Sequence, residues 1–129
     1  MKILLVDDNF ELGFTLKELL ELKGFQVEYV EDGFAALDKF KENDFGLVIM
    51  DIVMPGIDGI EIFKKMKEIK KDIKAIFVSA FIEDKRKEEL KKMGIKYFVE
   101  KPYDFSKIVS KIEEMLSSNY KKEKEAQKF

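Results

Sequence analysis

The sequence contains no cysteine and no histidine, and these two absences exclude several kinds of site. Without cysteine there is no disulfide, no zinc–thiolate centre and no thiol nucleophile. Without histidine there is no Ser-His-Asp triad, no Cys-His dyad and no His-ligated metal centre. Any chemistry carried by this chain must therefore use carboxylates, lysines, hydroxyl groups and oxygen-liganded cations.

Long apolar runs and a strong excess of one charge are also missing. The first apolar run, residues 3–6, is shorter than the roughly 7–15 residues of a secretory signal. No later run reaches the roughly 18 residues that are needed to cross a bilayer. The formal net charge of −2 provides no electrostatic basis for nucleic-acid binding. We therefore expect a soluble cytoplasmic protein that binds neither nucleic acid nor membrane directly.

The 129 residues, of which 46% are hydrophobic and 39% charged, are sufficient for one globular domain with its own core. Short apolar runs alternate five times with longer stretches in which apolar residues recur at helical spacing. This alternation predicts an α/β fold with a five-stranded parallel sheet and helices on both faces. We predict the doubly wound, flavodoxin-like strand order 2-1-3-4-5.

We expect this domain to cover residues 1–118, with its last helix ending near residues 117–118. The remaining segment, residues 119–129, is rich in Lys and Glu and is expected to form a charged C-terminal tail. It is too short for an output domain, so we expect the output to act in trans.

Polar side chains follow four of the predicted strands. Asp7 and Asp8 follow the first strand, Asp51 the third, Ser79 the fourth and Lys101 the fifth. The carboxyl ends of parallel strands share one edge of the sheet, and the first and third strands are neighbours about 5 Å apart in the predicted order. Each residue alone is equally compatible with a helix cap or a solvated strand end. Their joint placement instead predicts one rim with three carboxylates, an ammonium and a hydroxyl.

Carboxylates crowded in this way repel one another unless one is protonated or a cation binds. A hard cation such as Mg²⁺ suits one or two carboxylates, a backbone carbonyl and waters. An ammonium, a metal ion and a hydroxyl are the groups that stabilise phosphoryl transfer. We therefore predict a Mg²⁺ site at which Asp51 acts as nucleophile and forms an aspartyl-phosphate.

These residues lie in motifs that resemble the receiver domain of two-component response regulators, of the stand-alone type found in chemotaxis and sporulation relays. The motifs are residues 4–9 (LLVDDN), residues 48–59 (VIMDIVMPGIDG), Ser79-Ala80 and Lys101-Pro102. The match covers residues 1 to about 118, and the motifs are specific only as a set. The resemblance implies a signalling switch that catalyses its own phosphotransfer and dephosphorylation, and not an enzyme with a separate substrate.

The resemblance also implies a role for each residue of the rim. Asp51 matches the phosphoacceptor, and Lys101 matches the ammonium that pairs with the phosphoryl group. Asp8 matches the direct Mg²⁺ ligand, and Asp7 matches a partner that acts largely through water. The carbonyl oxygen of Val53 matches the backbone ligand of the ion.

Two further residues match the switch of this family. Ser79 matches the hydroxyl that follows the phosphoryl oxygen, and Phe98 matches the aromatic residue that moves into the vacated space. The resemblance implies that the face made by the fourth helix, fifth strand and fifth helix then changes and binds a downstream protein target. The resemblance implies a phosphohistidine as the usual phosphoryl donor. Because this chain has no histidine, we expect the donor to be another protein, a sensor histidine kinase or a histidine phosphotransfer protein, or a small acyl phosphate.

Phe10 and Phe14 are four residues apart on the first predicted helix and project nearly opposite its leucine stripe. Because the family docks histidine-bearing helices near this helix, we hypothesise that both phenylalanines bind the phosphodonor.

Three other functions remain open from the residues. A metal-dependent phosphohydrolase with an aspartate nucleophile usually has Asp-x-Asp after the first strand, whereas Asp7 and Asp8 are adjacent. A flavodoxin-like flavin binder needs a phosphate loop rich in Ser, Thr and Gly, which residues 7–10 are not. A plain interaction domain would not need the complete set of acids and lysine.

Overall fold

The computed structural model describes the backbone of residues 1–127 and the side chains of residues 1–117, and strands and helices alternate throughout. The strands are β1 (Lys2–Val6), β2 (Gln26–Val30), β3 (Leu47–Asp51), β4 (Lys74–Ser79) and β5 (Tyr97–Glu100). The helices are α1 (Phe10–Leu22), α2 (Gly33–Glu42), α3 (Gly59–Ile69), α4 (Asp84–Lys92) and α5 (Phe105–Gln127). No helix among the described residues is both long and apolar enough to span a membrane.

The strands form one parallel sheet in the order β2-β1-β3-β4-β5, which confirms the predicted topology. β1 pairs directly with β3, and Val6 lies opposite Met50 in that pairing. Asp51 lies opposite Val78 on β4. The residues at the carboxyl ends of β1, β3 and β4 therefore meet at one edge of the sheet, where the candidate functional site lies.

Side chains of the central strands pack on both faces of the sheet, which explains why these strands are apolar except at their ends. One core cluster lies under α2, α3 and α4 and includes Leu4, Val48, Phe63, Phe77 and Leu90. The other lies under α1 and α5 and includes Ile3, Leu20, Ile49, Ile76 and Ile108. Strand side chains thus alternate between two helix layers, and the sheet that carries the candidate site is packed on both faces.

Helix α4 is attached to the rest of the domain more by charged contacts than by apolar burial. Leu90 is its one fully buried side chain. Arg86 forms an ion pair with Asp58 at the start of α3, and Glu89 accepts a hydrogen bond from Lys64 of α3 at 2.9 Å. A helix with so little buried apolar surface is expected to have lower local stability than its neighbours.

Helix α5 corrects one prediction. It continues to Gln127 and does not end near residues 117–118. The physical reason is that residues 119–127 contain no Gly or Pro and consist mostly of Lys and Glu, with one Ala and one Gln, all of which favour helix. The predicted charged tail, residues 119–129, lies outside the described side chains, and the division of the chain at residue 118 stays a prediction.

Helix α3 begins directly against the end of β3. The Gly59 N–H donates a hydrogen bond to the carbonyl oxygen of Ile52 at 2.7 Å. A Cβ atom at Gly59 would overlap the main-chain oxygen of Asp51. A side chain at this position would therefore push α3 away from the strand that ends in the site.

We expect Gly59→Ala to lower the free energy of unfolding by roughly 1–3 kcal/mol, because the overlap is with main-chain atoms that cannot rotate away. Gly46→Ala is the matched control, since the three atoms nearest to its Cβ all belong to the flexible side chain of Met1. Urea denaturation of both variants measures the difference. Equal losses of stability in the two variants would contradict this account of the β3–α3 contact.

Candidate functional site

Three carboxylates meet at the carboxyl edge of the sheet, where the sequence predicted them. Asp7 and Asp8 follow β1, and Asp51 is the last residue of β3. One oxygen from each lies within 4.8 Å of the others. Asp7 and Asp51 are buried, with 4% and 8% of their surface exposed, whereas Asp8 is exposed. The site therefore combines two charges removed from water with one that faces it.

The Lys101 ammonium joins the two buried carboxylates. Its Nζ lies 3.0 Å from Asp7 Oδ2 and 2.7 Å from Asp51 Oδ2. The Lys101 N–H also donates to the carbonyl oxygen of Ser79 at 2.9 Å, and the peptide bond to Pro102 is cis. Burial lowers the pKa of Lys101, but its hydrogen bonds to both carboxylates outweigh burial and raise the pKa above its usual value. Lys101 is thus a fixed positive charge.

Main-chain donors hold the second oxygen of each buried carboxylate. The Asn9 N–H donates to Asp7 Oδ1 at 2.9 Å, and the Val53 N–H donates to Asp51 Oδ1 at 3.3 Å. Burial raises the pKa of Asp51 and outweighs the hydrogen bond from Lys101, which lowers it. Asp51 is therefore held in a defined orientation and in an environment that disfavours its charge.

The donor set fits a small divalent cation. Mg–O distances are about 2.1 Å, so two oxygens on opposite sides of a Mg²⁺ ion lie roughly 4 Å apart. The oxygens of Asp7, Asp8 and Asp51 lie at a comparable separation. Three carboxylates and one ammonium also leave a formal charge of −2, which one divalent ion balances. All the side-chain donors are oxygens, the ligands that Mg²⁺ prefers.

An open cavity of about 490 Å³ lies beside Asp51. Ser79 and Lys101 line it, together with the exposed side chains of Val53 and Phe81. The Ser79 hydroxyl donates to the carbonyl oxygen of Phe81 at 3.0 Å. A group entering this cavity would meet the carboxylate, the ammonium and the hydroxyl together.

The three predicted aromatic residues lie away from this cavity. Phe98 is half-buried on β5 and packs against the core cluster under α2, α3 and α4. Phe10 and Phe14 are 53% and 42% exposed, and their rings stack with centroids 5.6 Å apart. The structure thus places these two on the surface of α1, just after the loop that carries Asp7 and Asp8.

Sequence reasoning missed two residues that contact the site. Tyr29 of β2 donates a hydrogen bond from its hydroxyl to the Asp7 carbonyl oxygen at 2.6 Å. Arg86 of α4 lines the cavity beside Asp51 and pairs with Asp58. Both contacts join residues more than twenty positions apart, and no local pattern signals them.

Asp51 should destabilise the metal-free fold at neutral pH. Its pKa is raised in the folded protein from the usual 3.8, so the folded state holds the proton more tightly than the unfolded chain does. Protonated Asp51 therefore adds to the free energy of unfolding. This contribution is full below pH 3.8 and is lost as the pH rises through the folded-state pKa. In EDTA at pH 7 we expect Asp51→Asn to have a higher thermal midpoint than wild type.

The exposed carboxylate Asp38 provides the control, and Asp38→Asn should leave the midpoint unchanged. Thermal melts of the three proteins from pH 3 to 8 measure the effect. A lower midpoint for Asp51→Asn at pH 7 would show that the Lys101 bond outweighs the burial of Asp51.

Known proteins share this fold and sequence pattern. The sequence profile of the response regulator receiver domain matches residues 3–113. Sporulation initiation phosphotransferase F of Bacillus subtilis is 35% identical over 115 residues, which cover 89% of this chain and 93% of that protein. Chemotaxis protein CheY of Bacillus subtilis is 33% identical over 117 residues, covering 90% and 98%.

Solved structures of receiver domains have the same fold as this chain. A CheY-like receiver domain protein from Methanospirillum hungatei superposes with a TM-score of 0.87 at 26% identity, covering 94% of this chain and 97% of that one. The response regulator TrrA of Thermotoga maritima, solved in complex with Mg²⁺ and BeF, has a TM-score of 0.76 at 34% identity, covering 88% and 96%. The profile match over most of the chain and these relatives show that the chain belongs to the receiver-domain family of response regulators.

Proposed function

We propose that this receiver domain accepts a phosphoryl group on the Asp51 carboxylate in a Mg²⁺-dependent reaction. The observation that carries the proposal is the bond from Lys101 Nζ to Asp51 Oδ2, 2.7 Å long, within a cluster of three carboxylates that borders an open cavity. The buried carboxylate is oriented for nucleophilic attack. The ammonium beside it can bind the oxygens of an incoming phosphoryl group.

In the proposed reaction an Asp51 oxygen attacks the phosphorus of the donor. The new bond joins that oxygen to phosphorus, and the bond from phosphorus to the leaving nitrogen or oxygen breaks with its electron pair. Lys101 stabilises the negative charge on the transferred group. Bound Mg²⁺, held by Asp7, Asp8, Asp51 and the Val53 carbonyl oxygen, would supply the remaining positive charge. Attack of water on the aspartyl-phosphate would reverse the switch.

We propose that Ser79 and Phe98 transmit the phosphorylation of Asp51 to the surface of the domain. The Ser79 hydroxyl, bonded to the Phe81 carbonyl oxygen at 3.0 Å, must exchange that bond to reach a phosphoryl oxygen on Asp51. Phe98 packs on the core cluster and also lines a groove between β5 and α5. A change at the cavity would therefore reach the surface formed by α4, β5 and α5, where a downstream protein target would bind.

Receiver domains receive phosphoryl groups from histidine kinases or phosphotransfer proteins, and we propose such a donor for this chain. Phe10 and Phe14 form an exposed stacked pair on α1, adjacent to the loop that carries two of the carboxylates. Paired aromatic side chains in this position would supply apolar contact area to a docking helix.

Incubation with acetyl phosphate and Mg²⁺ tests the proposed reaction. We expect the intact mass to rise by one phosphoryl group in wild type and in Asp38→Asn, and no adduct in Asp51→Asn or in EDTA. In the phosphorylated wild type, the rate of amide hydrogen exchange should change in α4 and β5 and should stay the same in β1.

A rapidly hydrolysed adduct would escape detection, so beryllium fluoride is the second probe. Wild type should bind it with Mg²⁺ as a stable phosphoryl mimic, and Asp51→Asn should not. If neither an adduct nor this complex forms in wild type, Asp51 is not a phosphoacceptor and the proposed function is wrong.

Phe14→Ala should slow transfer from the phosphorylated cognate donor by about fivefold or more, because a truncated interface aromatic costs at least ~1 kcal/mol. Leu22→Ala is the matched control, since Leu22 is 83% exposed at the far end of the same helix. Phosphorylation of Phe14→Ala by acetyl phosphate should stay at the wild-type rate. If both donors are slowed equally, Phe14 supports the site and does not dock the partner.

A further inference from the structure

Tyr29 lies on β2, the edge strand next to β1, and reaches across to the loop after β1. Its hydroxyl donates to the Asp7 carbonyl oxygen at 2.6 Å and lies 3.5 Å from the Asn9 carbonyl oxygen. Its ring lies over Gly13 of α1 so closely that a Cβ atom there would overlap it. Phe10 packs beside the ring with centroids 6.2 Å apart. The side chain thus fills the angle between the edge of the sheet and the first turns of α1.

The loop that Tyr29 contacts carries a carboxylate with no support of its own. Asp7 is held through both oxygens, by the Asn9 N–H and by Lys101. Among the described residues no hydrogen bond or ion pair engages the exposed Asp8 carboxylate, although it belongs to the same cluster. Its direction therefore depends on the course of the main chain on either side of it.

We propose that Tyr29 is a positioning residue for the Asp8 carboxylate. Its hydroxyl fixes the Asp7 carbonyl and hence the main chain at Asp8, and Gly13 leaves the space that the ring requires. The inference rests on the proposed Mg²⁺ site and adds to it a residue from the edge strand.

A further observation supports this role. Glycine within a helix is unfavourable relative to alanine. Its occurrence at Gly13, beneath the ring, is explained by the space that Tyr29 occupies.

The first test is the affinity of the full chain for Mg²⁺, measured by calorimetry without any phosphodonor. Tyr29→Phe keeps the ring and removes the hydrogen bond. We expect the Mg²⁺ affinity to fall about tenfold, because loss of a group that supports a metal ligand weakens metal binding to about this extent. Tyr97→Phe is the matched control. Tyr97 begins β5 and so lies at the amino ends of the strands, whereas the carboxylates lie at the carboxyl ends. Its affinity should equal that of wild type.

The second test uses the contact between Gly13 and the ring. Gly13→Ala should weaken Mg²⁺ binding when Tyr29 is present, because the new methyl group displaces the ring. The same substitution in Tyr29→Val should cause no further loss of affinity, because the ring is gone. Non-additivity of this kind is the signature of two residues acting through one contact.

The outcomes separate this inference from the function on which it rests. If wild type and Tyr97→Phe bind no Mg²⁺, the metal site is wrong and the inference falls with it. If wild type binds and Tyr29→Phe binds within twofold of it, the metal site stands and the positioning role is overturned. The positioning role is overturned in that case even where Tyr29→Phe lowers the thermal midpoint, since a packing role alone would do so.

Discussion

The bridge from Lys101 to two buried carboxylates is the interaction on which the site depends. Burying a carboxylate is costly unless a positive charge and hydrogen bonds accompany it. Here one ammonium serves Asp7 and Asp51 together, at 3.0 and 2.7 Å. Lys101 follows β5, which β4 separates from β3, so its side chain must extend past β4 to reach them. The parallel sheet makes this possible because it brings all strand ends to one edge.

One ammonium does not balance three carboxylates, and this imbalance connects stability with function. The metal-free site retains an excess of negative charge. Burial raises the pKa of Asp51, the Lys101 ammonium opposes that rise, and the Asp7 carboxylate adds to it. A cation that bound this cluster in the folded state alone would stabilise that state. Under the proposed function, a phosphoryl group added to Asp51 would change the charge at the same place.

Helix α4, which belongs to the surface that we propose for the downstream target, is held to the domain differently from the site. Helix α4 buries Leu90 alone and relies on the contacts of Arg86 with Asp58 and of Glu89 with Lys64. Such contacts at partly exposed positions are weak and screened by salt. We therefore expect α4 to have lower local stability than the elements that supply most of the two core clusters. Arg86 also lines the cavity beside Asp51, so one side chain connects the site with helix α4.

Alternating periodicity is enough to predict a parallel α/β sheet, and the common doubly wound topology then supplies the strand order. The geometry of parallel strands brings together the residues at their carboxyl ends, which are Asp7, Asp8, Asp51, Ser79 and Lys101. The predicted end of α5 was wrong, because helix propensity carries α5 to Gln127 past the change in composition. The side-chain contacts that support the site could be found in the folded structure alone. Tyr29 reaches Asp7 across 22 positions and Arg86 reaches Asp58 across 28. These contacts depend on the packing of separate elements, and no local pattern of residues encodes that packing.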